Sequence, residues 1–456
     1  MPIRCSKDPI QVAEGGTRRC CIMKLFDNFY NMKVGIVDLS ELSSEVIPLD
    51  DDLVAEKIGG AAVNTELFKQ YGDGDSLILG VGPLTGSFAP ASCLSVATFL
   101  SPRFGNLCHV PLMLRNGPEM KFSGIDFLVI KGTASSPKIL HLDKAGIQVL
   151  SAEHLVDLAV PEALQVVNRE ISPSRSIILT GPAADHGVSC VSVSTGLYGS
   201  HDKAGLAFLM ASKNLKGIIF NGIDGLPFAE DNLHHKERIE KKLFTDKVHR
   251  NEGFFSMLDM IGIEKNLKGV IKKAKWRNVA CYHCPSPCIS SVEFRWHDPR
   301  KNARADDTIF LSDHLGFLAL ARKGGANVLP LLKSCFLFGL DPVAVAEILP
   351  ENGSLLESLN AIEEISASPQ GPDIKSEPHQ IEVVSGKIHN LFGGGIPTIL
   401  DSELWEKRVY LSMVLGVCPL FLLHFPQISD SDLLGFLAEN EDDLKSLGEI
   451  LNYPAN

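Results

Sequence analysis

Between Lys33 and Phe220 the apolar residues fall in short β-branched runs separated by Gly, Pro, Asp and Ser. These runs predict strands at Lys33–Leu39, Ser76–Leu79, Phe127–Ile130, Lys138–Leu142, Ile147–Leu150, Ile177–Leu179, Ser189–Val193 and Gly217–Phe220. Two stretches in the same region, Asp52–Tyr71 and Pro161–Ile171, instead space their apolar residues at the helical period. The class is therefore α+β, and the alternation is too irregular for a doubly wound nucleotide fold. From Leu226 onward the pattern turns helical, with amphipathic stretches at His235–Asp246, Asp313–Ala321, Val328–Leu337 and Pro342–Leu349. Ser366–His379 is rich in Ser and Pro and reads as an exposed linker. The expected organisation is an N-terminal extension (1–31), a β-rich domain (32–225), a helical domain (226–365), the linker (366–379) and a C-terminal helical domain (380–456). That is a β-rich domain followed by two mainly α-helical ones. No repeat recurs at a fixed period.

A chain of 456 residues exceeds one ordinary core, in keeping with several domains. With 45% hydrophobic and 21% charged residues it should fold rather than stay disordered. The net charge of −12, from 43 basic against 55 acidic residues, argues against sequence-independent nucleic-acid binding, which needs a basic surface. Lys265, Lys268, Lys272, Lys273, Lys275 and Arg277 form a local basic run, either a solvated helix face or a docking patch for an acidic partner. The longest apolar stretch, around Leu411 to Phe425, is interrupted by Gly416, Pro419 and His424 and falls short of the roughly 20 residues a membrane span requires. Arg18-Arg19 precedes only Cys20-Cys21-Ile22-Met23, too little for the apolar core of an export signal, so a cytoplasmic protein is expected.

Eleven cysteines without an export signal point to metal binding rather than a disulfide framework. Three of them, Cys281, Cys284 and Cys288, stand in C-x2-C-x3-C spacing, which lets one tight loop present three thiolates to one centre. Thiolates are the ligands of iron–sulfur clusters. Zinc competes for such a site, with His283 inside the loop, although a zinc ribbon would bring a second C-x2-C pair that this chain lacks. Three buried small residues with no metal are the remaining alternative. A cuboidal cluster needs a fourth ligand, and Cys93, Cys108, Cys190, Cys335 and Cys418 are all candidates that spacing alone does not separate.

Several segments resemble the tungsten-containing aldehyde ferredoxin oxidoreductases. They are Gly82-Pro83-Leu84-Thr85-Gly86, Glu119-Met120-Lys121-Phe122-Ser123-Gly124-Ile125-Asp126, Ser212-Lys213-Asn214-Leu215-Lys216, the Cys281–Cys288 loop and Phe338-Gly339-Leu340-Asp341. The resemblance implies a [4Fe–4S] cluster whose fourth ligand ends a D-x-x-G-[LV]-C stretch, here matched by Gly416 and Cys418 but without the Asp. It also implies oxidation of an aldehyde to a carboxylic acid at a tungsten (or molybdenum) bis-pterin, with electrons leaving through the cluster to a ferredoxin-like carrier or a redox partner subunit. A homo-oligomer is compatible with it.

The chain departs from the family where pterin phosphates need cationic and N–H partners. Gly59-Gly60-Ala61-Ala62-Val63 stands for a G-G-R-G-L stretch, Cys93-Leu94-Ser95 where the family has an arginine, and Pro111-Leu112-Met113-Leu114 for N-S-G-G. Gly199-Ser200-His201-Asp202-Lys203-Ala204-Gly205 stands for R-A-A-G-R-G-G, so that Lys203 and Gly205 are the residues left to bind the cofactor. Phe392-Gly393-Gly394-Gly395-Ile396 lacks the charged companions of a pterin segment and reads as a turn, while Asp306-Asp307 are either the counterpart of the family's acidic residues near the metal or surface carboxylates. His201-Asp202 beside Ser200 is not a nucleophilic triad, having no strained nucleophile turn, and no catalytic residue is identified. Two functions follow: an oxidoreductase with the family's metal–pterin chemistry, or a paralogue that keeps the cluster as an electron-transfer or partner-binding subunit.

Overall fold

The computed structural model describes residues 26–451 apart from 27, 73, 172, 174–175, 201, 223–224, 226–229, 245–252, 255–273, 352, 369–379, 384–385, 390–401 and 439–440. Most of the N-terminal extension, Lys265 to Lys273, most of the expected linker and the Phe392–Ile396 glycine run therefore lie outside the described residues. The fold is α+β, as the periodicity predicts.

In chain order the N-terminal strands are β1 (Lys33–Asp38), β2 (Ser43–Pro48), β3 (Leu77–Val81), β4 (Ser95–Leu100), β5 (Leu107–Leu112), β6 (Phe127–Lys131), β7 (Lys138–Asp143), β8 (Gly146–Ser151), β9 (Ser176–Leu179), β10 (Ser194–Thr195), β11 (Tyr198–Gly199) and β12 (Leu215–Asn221). Further on come β13 (Lys275–Val279), β14 (Ile289–Asp298), β15 (Ala303–Leu311), β16 (Gln380–Val383) and β17 (Gly386–His389). They form an eight-stranded sheet in the order β16-β17-β5-β4-β3-β6-β1-β2, a six-stranded sheet β11-β10-β9-β12-β7-β8, and a three-stranded sheet β13-β14-β15.

Burial explains the first sheet. Every residue of β3 is buried, as expected of a central strand covered on both faces. The covering element on one face is helix α1 (Gly60–Tyr71), whose buried Asn64 donates its side-chain N–H groups to Val96 O and Thr98 Oγ1 of β4 at 2.9 and 3.0 Å. The single helix expected over Asp52–Tyr71 is instead two, because Ile58 takes a left-handed φ of 67° and breaks the run after Lys57.

The C-terminal half is mainly helical, as expected, with one departure beside the cysteine loop. Val292, Phe294 and Trp296 alternate with Glu293 and Arg295 in β14, a period of two rather than 3.6, and a turn at Pro299–Asn302 returns the chain as β15. Likewise Ser189–Val193 forms only an isolated bridge, Val191 to Leu340, and the strand of that region is β10. Backbone pairing of β17 with β5 brings the chain beyond residue 379 back to the first sheet. Helix α2 (Ser402–Leu415) then returns over α1. This contact is why Gly60 has no side chain: a Cβ there would lie 1.8 Å from the carbonyl oxygen of Met413. Among the described residues no helix is long and apolar enough to cross a membrane.

Candidate metal centre

Three segments meet at the end of α2: the turn between β3 and β4, the Cys281–Cys288 loop, and the stretch Gly416-Val417-Cys418. The turn is built first. Lys121 is fully buried and donates its ammonium to the carbonyls of Gly82, Pro83 and Thr85 at 3.0, 2.9 and 3.1 Å. Burial pulls this lysine down to about 7, opposed by Asp126, which burial pushes up to about 6. Its Nζ also sits 4.7 Å from the Tyr30 ring centre. The Glu119–Asp126 stretch thus clamps the Gly82–Gly86 turn from behind.

The clamped turn receives the C-terminal stretch. Leu84 N–H donates to Leu415 O at 3.0 Å and Leu94 N–H to Gly416 O at 3.2 Å. Gly416 has φ +86°, and a Cβ on it would lie 2.0 Å from Thr85 Oγ1, so this position needs glycine both for its conformation and for the close approach. Ala91, itself left-handed at φ 58°, joins all three segments: its N–H donates to His283 O at 2.9 Å, and its carbonyl accepts the amides of Cys93 at 2.8 Å and Cys418 at 3.0 Å.

The cysteine loop is held on its other sides too. Tyr282 N–H donates to Leu114 O at 3.0 Å and its hydroxyl to Gly86 O at 3.2 Å. Ser286 Oγ and His424 Nδ1 are 2.7 Å apart, tying the loop to the helix that follows Cys418. The buried His314 ring bonds the carbonyl of Cys288 at 3.1 Å and stacks on Phe254.

These supports gather five thiols. Burial, then the charges of Cys281, Cys288 and Cys418, push the Cys284 thiol well above its usual range; burial, then Cys281 and Cys418, do the same for Cys288. The hydrogen bond with Cys93 pulls Cys418 down, while hydrogen bonds with Cys281 and Cys418, with burial, push Cys93 up. Cys418 also contacts Met113, its Sγ 3.3 Å from the thioether sulfur. The thiol that resemblance selects, Cys418, is thus beside the three loop thiols. Cys190 and Cys335 lie together elsewhere, near Asp341. Among the described residues no three Cys, His, Asp or Glu side chains are close enough to hold one metal ion. A four-iron cluster spreads its thiolates more widely than a single ion does, and an all-thiol donor set fits such a group.

The pterin positions do not fit their group. Lys203 is buried and pairs with Asp313 at 2.8 Å and Asp341 at 2.7 Å, and Arg103 also pairs with Asp341 at 3.2 Å. Gly205 precedes the helix Leu206–Ser212, where an anion would meet free N–H groups, but the Asp202 carboxylate already accepts the amides of Ala204, Gly205 and Ala207. Gly59 and Gly60 pack against Tyr30 and the backbone of residues 413–414. The cavity beside Cys281 and Cys288, walled by Met113, Leu114, Ser200 and Ser312, measures about 20 Å³, and its neighbour past Ser192 and Asp313 about 40 Å³. A water needs roughly 10–15 Å³ on this measure, so these spaces take one or a few waters. Asp306 and Asp307 lie away from the thiols on β15, where Arg295 pairs with the first and Lys333 and the Trp296 indole with the second.

An α+β scaffold that closes two distant parts of one chain over a five-thiol centre, three of whose cysteines are buried, is the class defined by this architecture. Residues 34–222 match the family model of the aldehyde ferredoxin oxidoreductase N-terminal domain. The chain is 24% identical to the tungsten-containing aldehyde ferredoxin oxidoreductase of Pyrococcus furiosus over 285 residues, which is 55% of this chain and 47% of that one. The Thermococcus kodakarensis enzyme of the same name is also 24% identical, over 63% of this chain and 51% of its own. The WOR-like subunit of the aliphatic sulfonate oxidoreductase of P. furiosus is 26% identical over 49% of this chain and 40% of its own. Among solved structures, the active site complex BamBC of benzoyl coenzyme A reductase, with 1,5-dienoyl-CoA, superimposes with a TM-score of 0.62 at 17% identity, covering 74% of this chain and 60% of that one. The N-terminal part of the chain is thus similar to the N-terminal domain of the aldehyde ferredoxin oxidoreductases. It spans about half the length of the curated relatives it matches.

Proposed function

We propose that this chain is an oxidoreductase unit that moves single electrons through a [4Fe–4S] cluster held by Cys281, Cys284, Cys288 and Cys418, and that it does not itself hold a pterin. The observation that carries the reading is the meeting of these thiols at a junction stitched by Ala91, in a chain whose relatives are oxidoreductases. When bound, the cluster supplies one-electron uptake and release. The chain supplies the rest. Leu420 and Met113 line the inner side of the site and keep bulk water off it. The Ser286–His424 pair and the Tyr282 bonds fix the loop, so that the thiols are arranged before any metal arrives. Cys281 and Cys284 are partly exposed, which puts the path for electrons on their side of the loop, toward a ferredoxin-like carrier or a redox partner subunit.

The missing pterin fit separates this reading from aldehyde oxidation. With Lys203 neutralised by two carboxylates and the helix after Gly205 capped by Asp202, a phosphate would meet no free cation at either place. The deciding measurement is elemental analysis for iron, tungsten, molybdenum and zinc on protein made in a pterin-producing host and purified without oxygen. About four irons per chain and no tungsten or molybdenum is the expected result. Stoichiometric tungsten or molybdenum would overturn the cluster-only reading in favour of aldehyde oxidation, and zinc without iron would overturn the cluster.

A further inference from the structure

The junction contains one thiol more than a cluster needs. Cys93 is fully buried just before β4, and its amide shares the Ala91 carbonyl with the amide of Cys418. The next residue along, Leu94, is bonded to Gly416, two residues before Cys418, so the two cysteines are held side by side on adjacent backbones. The Cys93 thiol is in hydrogen-bonding contact with those of Cys281 and Cys418. Its segment is fixed to the cysteine loop through the Ala91–His283 bond.

We propose that Cys93 is a second occupant of the fourth ligand position, able to take the iron that Cys418 ligates. This rests on the cluster reading above. Cys418 is the ligand it replaces because the two share one carbonyl anchor, whereas Cys281 belongs to a loop whose three thiols are set by their own spacing. The exchange balances without any redox agent: Cys93 forms one Fe–S bond and gives its proton to Cys418, which releases the bond it held, and the iron keeps its oxidation state. A cluster with two alternative ligands at one corner could change its shape and surroundings without dissociating.

The test uses the full chain, loaded with iron and sulfide without oxygen, and reads iron per chain together with the electron paramagnetic resonance of the reduced protein. Cys93→Ala and Cys418→Ala should each retain about four irons, and the double variant should lose at least a quarter of its iron. Equal iron loss in Cys418→Ala and the double variant would overturn the proposal. Should Cys418→Ala not fold, the comparison of Cys93→Ala with the unmutated chain decides: two overlapping resonance signals in the unmutated protein, reduced to one in Cys93→Ala, support exchange. One signal unchanged by Cys93→Ala overturns it. An unmutated chain that takes up no iron overturns the cluster reading itself, and this inference with it.

Discussion

The backbone amides of Cys93 and Cys418 both end on the carbonyl of Ala91, at 2.8 and 3.0 Å, although the two cysteines are 325 positions apart in sequence. Ala91 makes this possible by adopting φ 58°, a conformation that costs an L-residue roughly 1–2 kcal/mol. A β-branched residue tolerates that conformation least, and this side chain is fully buried. Ala91→Val should therefore destabilise the chain by about 2–3 kcal/mol through strain and overpacking, and should lower the iron retained, because both amide anchors move. Ala91→Gly should keep the iron. Urea unfolding and iron analysis of the two variants check this, and equal iron in both would show that the anchor does not position the thiols.

The ammonium of Lys121 holds three carbonyls of the turn that receives Gly416. Replacing it with methionine keeps the length but strands those oxygens in a buried site, at a cost of about 1–3 kcal/mol, with Asp126 left without its charged neighbour. Lys121→Met should unfold at lower urea concentration, and native-state hydrogen exchange should quicken at Leu84 and Leu94, whose amides depend on that turn.

Lys203 shows the opposite use of a buried cation. Burial works to lower its affinity for a proton, and Asp313 and Asp341 more than restore it, so it stays charged. Lys203→Met leaves Asp313 buried without its cation and Asp341 with Arg103 alone, and should cost about 3–5 kcal/mol. Iron content at temperatures where the variant is folded should be unchanged, because the thiols beside this cluster of charges, Cys190 and Cys335, lie outside the junction. If Lys203 served a phosphate instead, adding phosphate would raise the unfolding temperature of the unmutated chain but not of the variant.

How much of this was legible in the sequence follows from which forces act locally. Most of the strands expected from Lys33 to Phe220 and the helices after Asp313 were readable because their burial period is written residue by residue, whereas β2, β4 and β5 were not expected and Ser189–Val193 forms no strand. The Cys281–Cys288 loop stood out through spacing alone, and Cys418 through a short resemblance. Cys93 was only one candidate among five, since its place beside Cys418 is set by strand order and by a carbonyl shared across the fold. The same holds for Lys203: as the cation remaining in a degraded phosphate motif it looked free, and only the fold brings Asp313 and Asp341 against it. The β14–β15 hairpin, by contrast, could have been found. Its alternation from Val292 to Trp296 and the Asp298-Pro299 turn are visible in the residues just past the cysteine loop.

Asp432 links the stability of the C-terminal helices to pH. Burial acts to raise its carboxyl, but the Lys242 ammonium, 2.7 Å from both oxygens, and the Ser429 bonds outweigh this and leave it below the usual carboxylate range. A depressed carboxyl contributes stability that is fully present above its unfolded value of about 3.9 and is lost as pH falls through the folded value. Unfolding free energy of the unmutated chain should therefore drop below about pH 4, and Asp432→Asn should show a shallower drop. Parallel profiles for the two proteins would remove Asp432 from the account.

Cys284 tests whether the centre staples the fold together. Its thiol sits 3.3 Å from Ser286 O inside the loop and interacts with Cys418 from the far end of the chain, so a bound cluster would join residues otherwise more than 130 positions apart. A group that binds only the folded chain stabilises it by its own binding free energy. Loading with iron and sulfide should raise the unfolding temperature of the unmutated chain. Cys284→Ala should hold well under half of the iron and unfold at the same temperature with or without loading. Cys190→Ala, which removes a fully buried thiol outside the junction, should behave like the unmutated chain in its iron content. Full iron in Cys284→Ala, or a loss in Cys190→Ala as large, would mean that iron binds elsewhere in the chain and that the junction thiols are packing residues.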